Sequence, residues 1–320
     1  MNYKMWPVTV RLPERVRCAV ALSYDLEMCA GYAPDGVNHG RIMPAVQEYT
    51  LRLCETAERF GVRLHFFYVC NGLEEADIGY LREIVRRGHV IDSHTYSHKH
   101  IAASDPDLLD HELWRANRLL QERLGIASSV LRGPGGYSHG WLHLPHANRE
   151  VILRNGFKWV SGEYDENVFT RGRDYALRAA GEHRPYAYPE GLVEIPIHGW
   201  TDRMWFDMRP EVDQSVLDEW RRAYGHRPVP AGWRAPWTDR HALEEWIALN
   251  LDSLDYAYEH RLLWVPCWHP YTHYLHDPDN RMLPALLARA ASKAERVWVC
   301  TLREVAGMMT MQVQDGREMP

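Results

Sequence analysis

Short apolar runs alternate along this chain with stretches whose apolar positions recur at helical spacing. CAVALSY (18–24), LHFFYV (64–69) and HVIDS (89–93) have the length of buried strands, and residues 43–60 and 77–87 between them carry the helical period. Residues 107–124 predict a third helix, with Ser104 and Pro106 as start signals and Gly125 as its stop. VLRGPGG then reads as strand and turn. Farther on, FKWVS, LVEIPI, LLWVPCW and RVWVCTL predict strands, with helices at 149–155, 214–224, 241–258 and 283–294. This rhythm predicts a parallel sheet, doubly wound or closed into a barrel, and the number of strands favours the barrel. Residues 171–191 and 199–237 break the rhythm. They are rich in Pro, Trp, Tyr and Arg and read as long loops, suited to a pocket wall or an oligomer contact.

At 320 residues and 46% hydrophobic composition the chain can bury a large core, and one domain over 1–320, with a core of about 16–310, is expected. The 43 acidic and 37 basic residues are mixed, with no basic stripe to neutralise a phosphate backbone, so nucleic acid is not an expected partner. MNYKMWPVTVRLPERVR lacks the apolar core of a signal peptide, and the apolar run at 18–24 is too short to span a bilayer. A cytoplasmic location without membrane contact is the expectation. The six cysteines (Cys18, Cys29, Cys54, Cys70, Cys267 and Cys300) form no CxxC pair and sit mostly in or beside apolar runs, as buried reduced thiols do.

Three polar clusters follow strand candidates: Asp25 and Glu27 after the first, His94 and His98 after HVIDS, and Arg132 before GPGGY. In a β/α barrel these strand ends share one face, where active sites are built. His94 and His98 stand four apart, so one helical turn or tight loop can turn both imidazoles onto one ion, with Asp92, Ser93 and Thr95 available to orient them. Among 18 histidines such a pair also arises by chance. Asp25 and Glu27 point to one side of an extended strand while Leu26 points to the other. One carboxylate can bind an ion and the other take a proton from its water; an acidic surface pair is the plainer reading. Arg132, fixed by the Pro-Gly-Gly turn, can hold a carboxylate ionised and aimed, and GPGG lacks the spacing of a phosphate-binding loop. His269 closes the strand candidate LLWVPCW, where an imidazole can protonate a leaving nitrogen.

In this order the motifs resemble the polysaccharide deacetylase family, also called the NodB-homology family or carbohydrate esterase family four. SYDLE matches its first motif, HTYSH its histidine motif, RGPGGY its arginine motif and WHP its last. The resemblance implies a distorted (β/α) barrel of the NodB-homology type, one divalent ion with Zn²⁺ as the expected metal, and hydrolysis of a non-peptide carbon–nitrogen bond. It assigns Glu27, His94 and His98 to the metal, Asp25 as base held by Arg132, and His269 as acid. Leu26 stands where better-known members place a metal-binding aspartate. The wider spacing of Asp25 and Glu27 is similar to that of a subgroup of intracellular peptidoglycan-deacetylase-like proteins, cyclic imide hydrolases and a metal-independent allantoinase. Tyr137, Trp200 and Trp205 are the expected substrate contacts, with Asp202 and Phe206 beside them. The 13 tryptophans suit sugar stacking or cores alike. The expected partner is a small-molecule or glycan substrate, with a homo-oligomer implied by the subgroup. Two rivals remain: metal-independent opening of a cyclic imide or ureide, and a non-catalytic sugar- or metabolite-binding protein.

Overall fold

The computed structural model describes residues 5–28, 39–99, 105–134, 144–163, 180–181, 183–207 and 242–311. Its barrel strands are β2 (Val16–Ala21), β3 (Ser23–Leu26), β4 (His65–Tyr68), β5 (Val90–Ser93), β6 (Val130–Arg132), β7 (Trp159–Ser161), β9 (Val193–Glu194), β10 (Leu263–Trp264), β11 (Cys267–Trp268) and β12 (Arg296–Cys300). β11, β3, β4, β5, β6, β7 and β9 run side by side in parallel, and β2 lies between β10 and β12, parallel to both. β2 continues into β3 past Leu22, and β10 into β11 past Val265 and Pro266. The ring closes between β9 and β10/β11, where His198 N donates to Val265 O at 2.9 Å and Val265 N to His198 Nδ1 at 3.0 Å. The expected distorted α/β barrel is therefore the observed fold.

Period two decides which side chains enter the ring. Ala19, Ala21, Phe67, Val130, Ile195 and Val265 form one buried cluster, while Val20, Tyr24, Leu26, Phe66 and Tyr68 belong to the larger core shared with the helices. The flanking helices are α1 (Pro44–Arg59), α2 (Gly79–Arg86), α3 (Pro106–Leu124), α4 (His146–Arg154), α5 (Asp202–Asp207), α6 (Ala242–His260), α7 (Pro270–His276), α8 (Met282–Ala291) and α9 (Leu302–Ala306). On α1 the buried residues Val46, Tyr49, Thr50, Leu53, Cys54 and Ala57 recur at helical spacing. α3 starts at Asp105, whose side chain accepts from Leu108 N at 2.9 Å, one residue beyond the expected Ser104, and ends as expected on left-handed Gly125.

Several elements escaped the sequence pattern because each is short. β1 (Trp6–Val10) contains Pro7 and pairs antiparallel with β8 (Tyr186–Ala187) and β13 (Met309–Met311), extending the sheet past β9. β8 and α5 lie within the two stretches read as loops; most of those stretches, and the helix expected at 214–224, lie outside the described residues. Cys18, Cys54, Cys70, Cys267 and Cys300 are buried and unbridged, and Cys29 lies outside the described residues. Among the described residues no helix is long and apolar enough to cross a membrane.

Asp92, expected to orient the two histidines, instead anchors the start of α9. Its Oδ1 accepts from Ser128 Oγ (2.7 Å), Ser129 N (2.8 Å) and Arg303 Nη2 (2.8 Å); its Oδ2 meets Arg303 Nε (2.7 Å) and His65 Nε2 (3.0 Å). His65 Nδ1 in turn accepts from Leu302 N at the start of α9. Burial works against the Asp92 charge, but Arg303 and His65 outweigh it and hold the pKa at about 2. A depressed carboxylate stabilises the fold fully above its ordinary pKa, and that contribution is lost as pH falls toward the folded value. Asp92→Asn should therefore cost about 3 kcal/mol at neutral pH. It should also flatten the stability loss between roughly pH 4 and pH 2. Urea unfolding followed across pH checks both; an unchanged midpoint and acid limb would contradict this role.

Candidate active site

Because alternate residues of β3 face the ring, Ser23 and Asp25 point inward, and Glu27, just past the strand, follows them. All three are buried. β5 delivers His94 to the same end, and the chain then turns sharply: Thr95 has φ 64° and His98 φ 60°. A β-branched residue in the left-handed region is strained, and such strain persists where surrounding bonds hold it. Here Thr95 N donates to Ser93 Oγ (3.1 Å) and His98 N to Thr95 Oγ1 (3.2 Å). Glu112 of α3 accepts from Ser97 N (2.7 Å) and Ser97 Oγ (2.8 Å). The tight loop, rather than a helical turn, thus aims both imidazoles. His39 stacks on His98 with ring centroids 4.7 Å apart.

Glu27, His94 and His98 each offer one ligand atom, and these atoms lie within 4.8 Å of one another. His94 Nδ1 sits 3.0 Å from the Arg132 carbonyl, which can only accept, so Nδ1 carries the hydrogen and Nε2 faces the centre. His94 Nε2 is 3.5 Å from Glu27 Oε2, and His98 Nε2 pairs closely with the same oxygen. Burial pushes His98 down to about 3, leaving its ring neutral. Burial also opposes the Glu27 charge, yet the facing imidazoles keep that carboxyl well below its ordinary value. Glu27 Oε2 is nevertheless buried without hydrogen-bond geometry to any partner. A buried carboxylate oxygen facing imidazole nitrogens in this way fits a divalent cation, and one carboxylate with two imidazoles leaves coordination positions for water.

Beside this set lies the Arg132 guanidinium, wholly buried over the Phe67 ring at 4.4 Å. Its Nη1 donates to Asp25 Oδ1 (2.8 Å) and Cys267 Sγ (2.9 Å), and its Nη2 to Ser23 Oγ (3.0 Å) and Ser161 Oγ (3.2 Å). Burial would raise the Asp25 pKa; Arg132, with His94 and His269, lowers it on balance, so Asp25 is ionised. Asp25 Oδ2 looks toward the centre, 3.7 Å from His94 Nε2, and accepts from Cys267 Sγ at 3.2 Å.

Near Asp25 stands His269, with one ligand atom of each within 4.8 Å of the other. Asp202, at the start of α5, accepts from His269 N (2.6 Å) and pairs with its Nδ1 (2.7 Å), leaving Nε2 3.6 Å from Glu27 Oε1. Burial alone would lower the imidazole pKa, but Asp202 raises it to about 9, so the ring carries a proton at neutral pH. Arg203 Nη1 lies 3.8 Å from Glu27 Oε1.

The structure thus brings Asp25, Glu27, His94, His98, Arg132 and His269 to one rim. The wall adds Asp202, Cys267, Glu112 and His39, none of which stood out as site residues in the sequence. Only Asp202 left a trace there, named beside the expected substrate contacts Trp200 and Trp205. Trp200 and Trp205, expected as substrate contacts, are buried: their rings meet edge-on at 6.0 Å, and Trp205 lies 5.7 Å from Trp246 in the core. That placement puts both rings in the core cluster shared with the helices. Tyr137 lies outside the described residues.

A family model described as polysaccharide deacetylase matches residues 30–149, which include His94, His98 and Arg132. The peptidoglycan-N-acetylglucosamine deacetylase of Bacillus cereus is 25% identical over 36% of each chain. The peptidoglycan deacetylase of Helicobacter pylori is 23% identical over 57% of this chain and 66% of its own. The aligned region thus spans less than two thirds of either relative. A solved structure from Mycobacterium smegmatis assigned to the polysaccharide deacetylases superposes with a TM-score of 0.65 at 20% identity, covering 95% of this chain and 94% of the other. Puue allantoinase superposes with a TM-score of 0.59 at 16% identity, covering 93% and 91%. The resemblance read from the motifs is carried by these matches, and the fold is that of the two solved structures.

Arg132 and Asp25 form a buried pair whose members need each other. Arg132→Met should cost about 3 kcal/mol or more by stranding the carboxylate, and Asp25→Asn in that background should recover part of the loss. Urea unfolding of both single variants and the double variant gives the coupling; additive losses would show that the pair is not coupled.

Proposed function

We propose that this chain is a metal-dependent hydrolase of a non-peptide carbon–nitrogen bond, removing an acetyl group from an N-acetylated sugar or a related N-acyl compound. The observation that carries this reading is the arrangement of Glu27, His94 and His98 around one point, with ionised Asp25 and protonated His269 both at its edge. These three ligands suit Zn²⁺. A bound divalent ion polarises a carbonyl and lowers the pKa of a coordinated water from about 15.7 toward roughly 7.

Asp25 Oδ2 accepts a proton from the attacking water while Arg132 holds Oδ1 and the carboxylate plane in place. As the water oxygen bonds to the carbonyl carbon, His269 offers its Nε2 proton to the departing nitrogen. Transfer of that proton accompanies breakage of the C–N bond, giving a carboxylic acid and an amine. Asp202 stabilises the imidazolium before transfer and fixes the tautomer afterwards. The proton held by Asp25 returns through solvent to restore His269.

A second reading is favoured by Arg203 Nη1 beside Glu27: a guanidinium there supplies positive charge at the centre, as a metal-free ring opening of a cyclic imide or ureide would need. The purified protein should contain one zinc-like ion per chain, lost in Glu27→Ala, His94→Ala and His98→Ala, and should release acetate from N-acetylglucosamine oligomers. Asp25→Asn and His269→Ala should keep the ion and lose about a hundred- to ten-thousand-fold in rate. Elemental analysis and acetate assays test both. Full turnover of a cyclic imide or ureide after exhaustive chelation would replace this reading with the second.

A further inference from the structure

The rim holds a second set of donors. Asp25, Cys267 and His269 each present one ligand atom, all within 4.8 Å of one another, and all three residues are buried. The thiol is brought there by β11, whose Cys267 sits level with Ser23 of β3, so that Sγ lies 3.2 Å from Asp25 Oδ2. The two donor sets abut: Asp25 Oδ2 is 3.7 Å from His94 Nε2, and His269 Nε2 is 3.6 Å from Glu27 Oε1.

We propose that Asp25, Cys267 and His269 form a second, inhibitory site for a thiophilic divalent cation such as Zn²⁺, Co²⁺ or Cd²⁺. The inference rests on the function proposed above, whose base and acid it engages. Thiolate, imidazole and carboxylate together select borderline and soft ions over Mg²⁺ or Ca²⁺, which prefer oxygen donors. Binding releases two protons to solvent, one from Sγ, where it is shared with Asp25 Oδ2, and one from His269 Nε2. A Sγ–metal bond and a Nε2–metal bond form in their place, and no electrons are exchanged. Arg132 Nη1, 2.9 Å from Sγ, remains as a counter-charge for the thiolate. Asp202 still holds His269 through Nδ1, so the ring needs no reorientation to present Nε2. An ion held here occupies Asp25 Oδ2, which takes the proton from water, and His269 Nε2, which delivers one to the leaving nitrogen. Excess metal therefore stops turnover without displacing the first ion.

Titration of the metal-stripped full chain with Co²⁺, followed by absorption and by activity, tests this. The first equivalent should give visible d–d bands, restore activity and show no thiolate charge transfer. The second should add a near-ultraviolet thiolate-to-cobalt band and lower activity by about a hundredfold or more, because base and acid are engaged together. Cys267→Ser should keep the first-equivalent spectrum and lose both the charge-transfer band and the inhibitory phase. A wild-type protein that takes up one equivalent only, or a second equivalent without a thiolate band, would overturn the proposal even if the serine variant did not fold. So would inhibition persisting unchanged in Cys267→Ser. A first d–d spectrum that is absent in wild type, or that persists in His94→Ala, would instead overturn the first metal site. The thiolate band still reports the second set separately.

Discussion

A guanidinium buried at the mouth of a barrel needs partners for its charge, and Arg132, bonded through both Nη atoms though not through Nε, shows how far that demand organises this fold. Its donors reach Ser23 and Asp25 of β3, Ser161 of β7 and Cys267 of β11; its plane rests on Phe67 of β4, and its carbonyl takes the His94 Nδ1 hydrogen. Five strands or strand ends are thereby tied to one cation. Desolvating such a charge costs several kcal/mol unless its hydrogen bonds and counter-ion are in place, so the site's geometry is a condition of stability before it is a means of chemistry.

The same arrangement keeps two neighbouring carboxylates ionised by different means. Asp25 and Glu27 are two residues apart and both buried, yet one leans on a guanidinium and the other on imidazoles. His98 and His269, both buried, are driven in opposite directions, one toward neutrality by burial, the other toward a held proton by Asp202. Neighbours, not residue type, set these differences, and pairs of groups pushed apart in this way are how a single cleft comes to hold both a proton acceptor and a proton donor.

The strand-end clusters were legible in the sequence because period two and the β-α rhythm are local properties. Asp25, Glu27 and Leu26 could be assigned to opposite faces from the alternation alone, and the strands LHFFYV and HVIDS contain the observed β4 and β5. What was not legible depends on contacts between residues far apart. Asp92 sits two positions before His94, yet its partners are His65, Ser128 and Arg303, and no spacing in the sequence announces them. Cys267 reads as one more apolar cysteine until β11 is laid against β3. Composition cannot tell a stacking face from a core ring, so the burial of Trp200 and Trp205 is visible only in the fold. β1, β8 and β13 were missed because two to five residues are too few to show a period.

The ring closes without a continuous backbone ladder. Where β9 meets β10 and β11, one main-chain bond from His198 to Val265 is accompanied by an imidazole accepting from Val265, and by Asp202 accepting from His269. The carboxylate that keeps His269 charged is thus also a clasp across the joint, with Asp202 contributed from the β9 side and His269 from the β11 side. Evolutionary change at this pair would be doubly constrained. A replacement that retuned the imidazole would loosen the closure of the barrel, while one that tightened the closure with ordinary ladder bonds would leave that imidazole without its counter-charge.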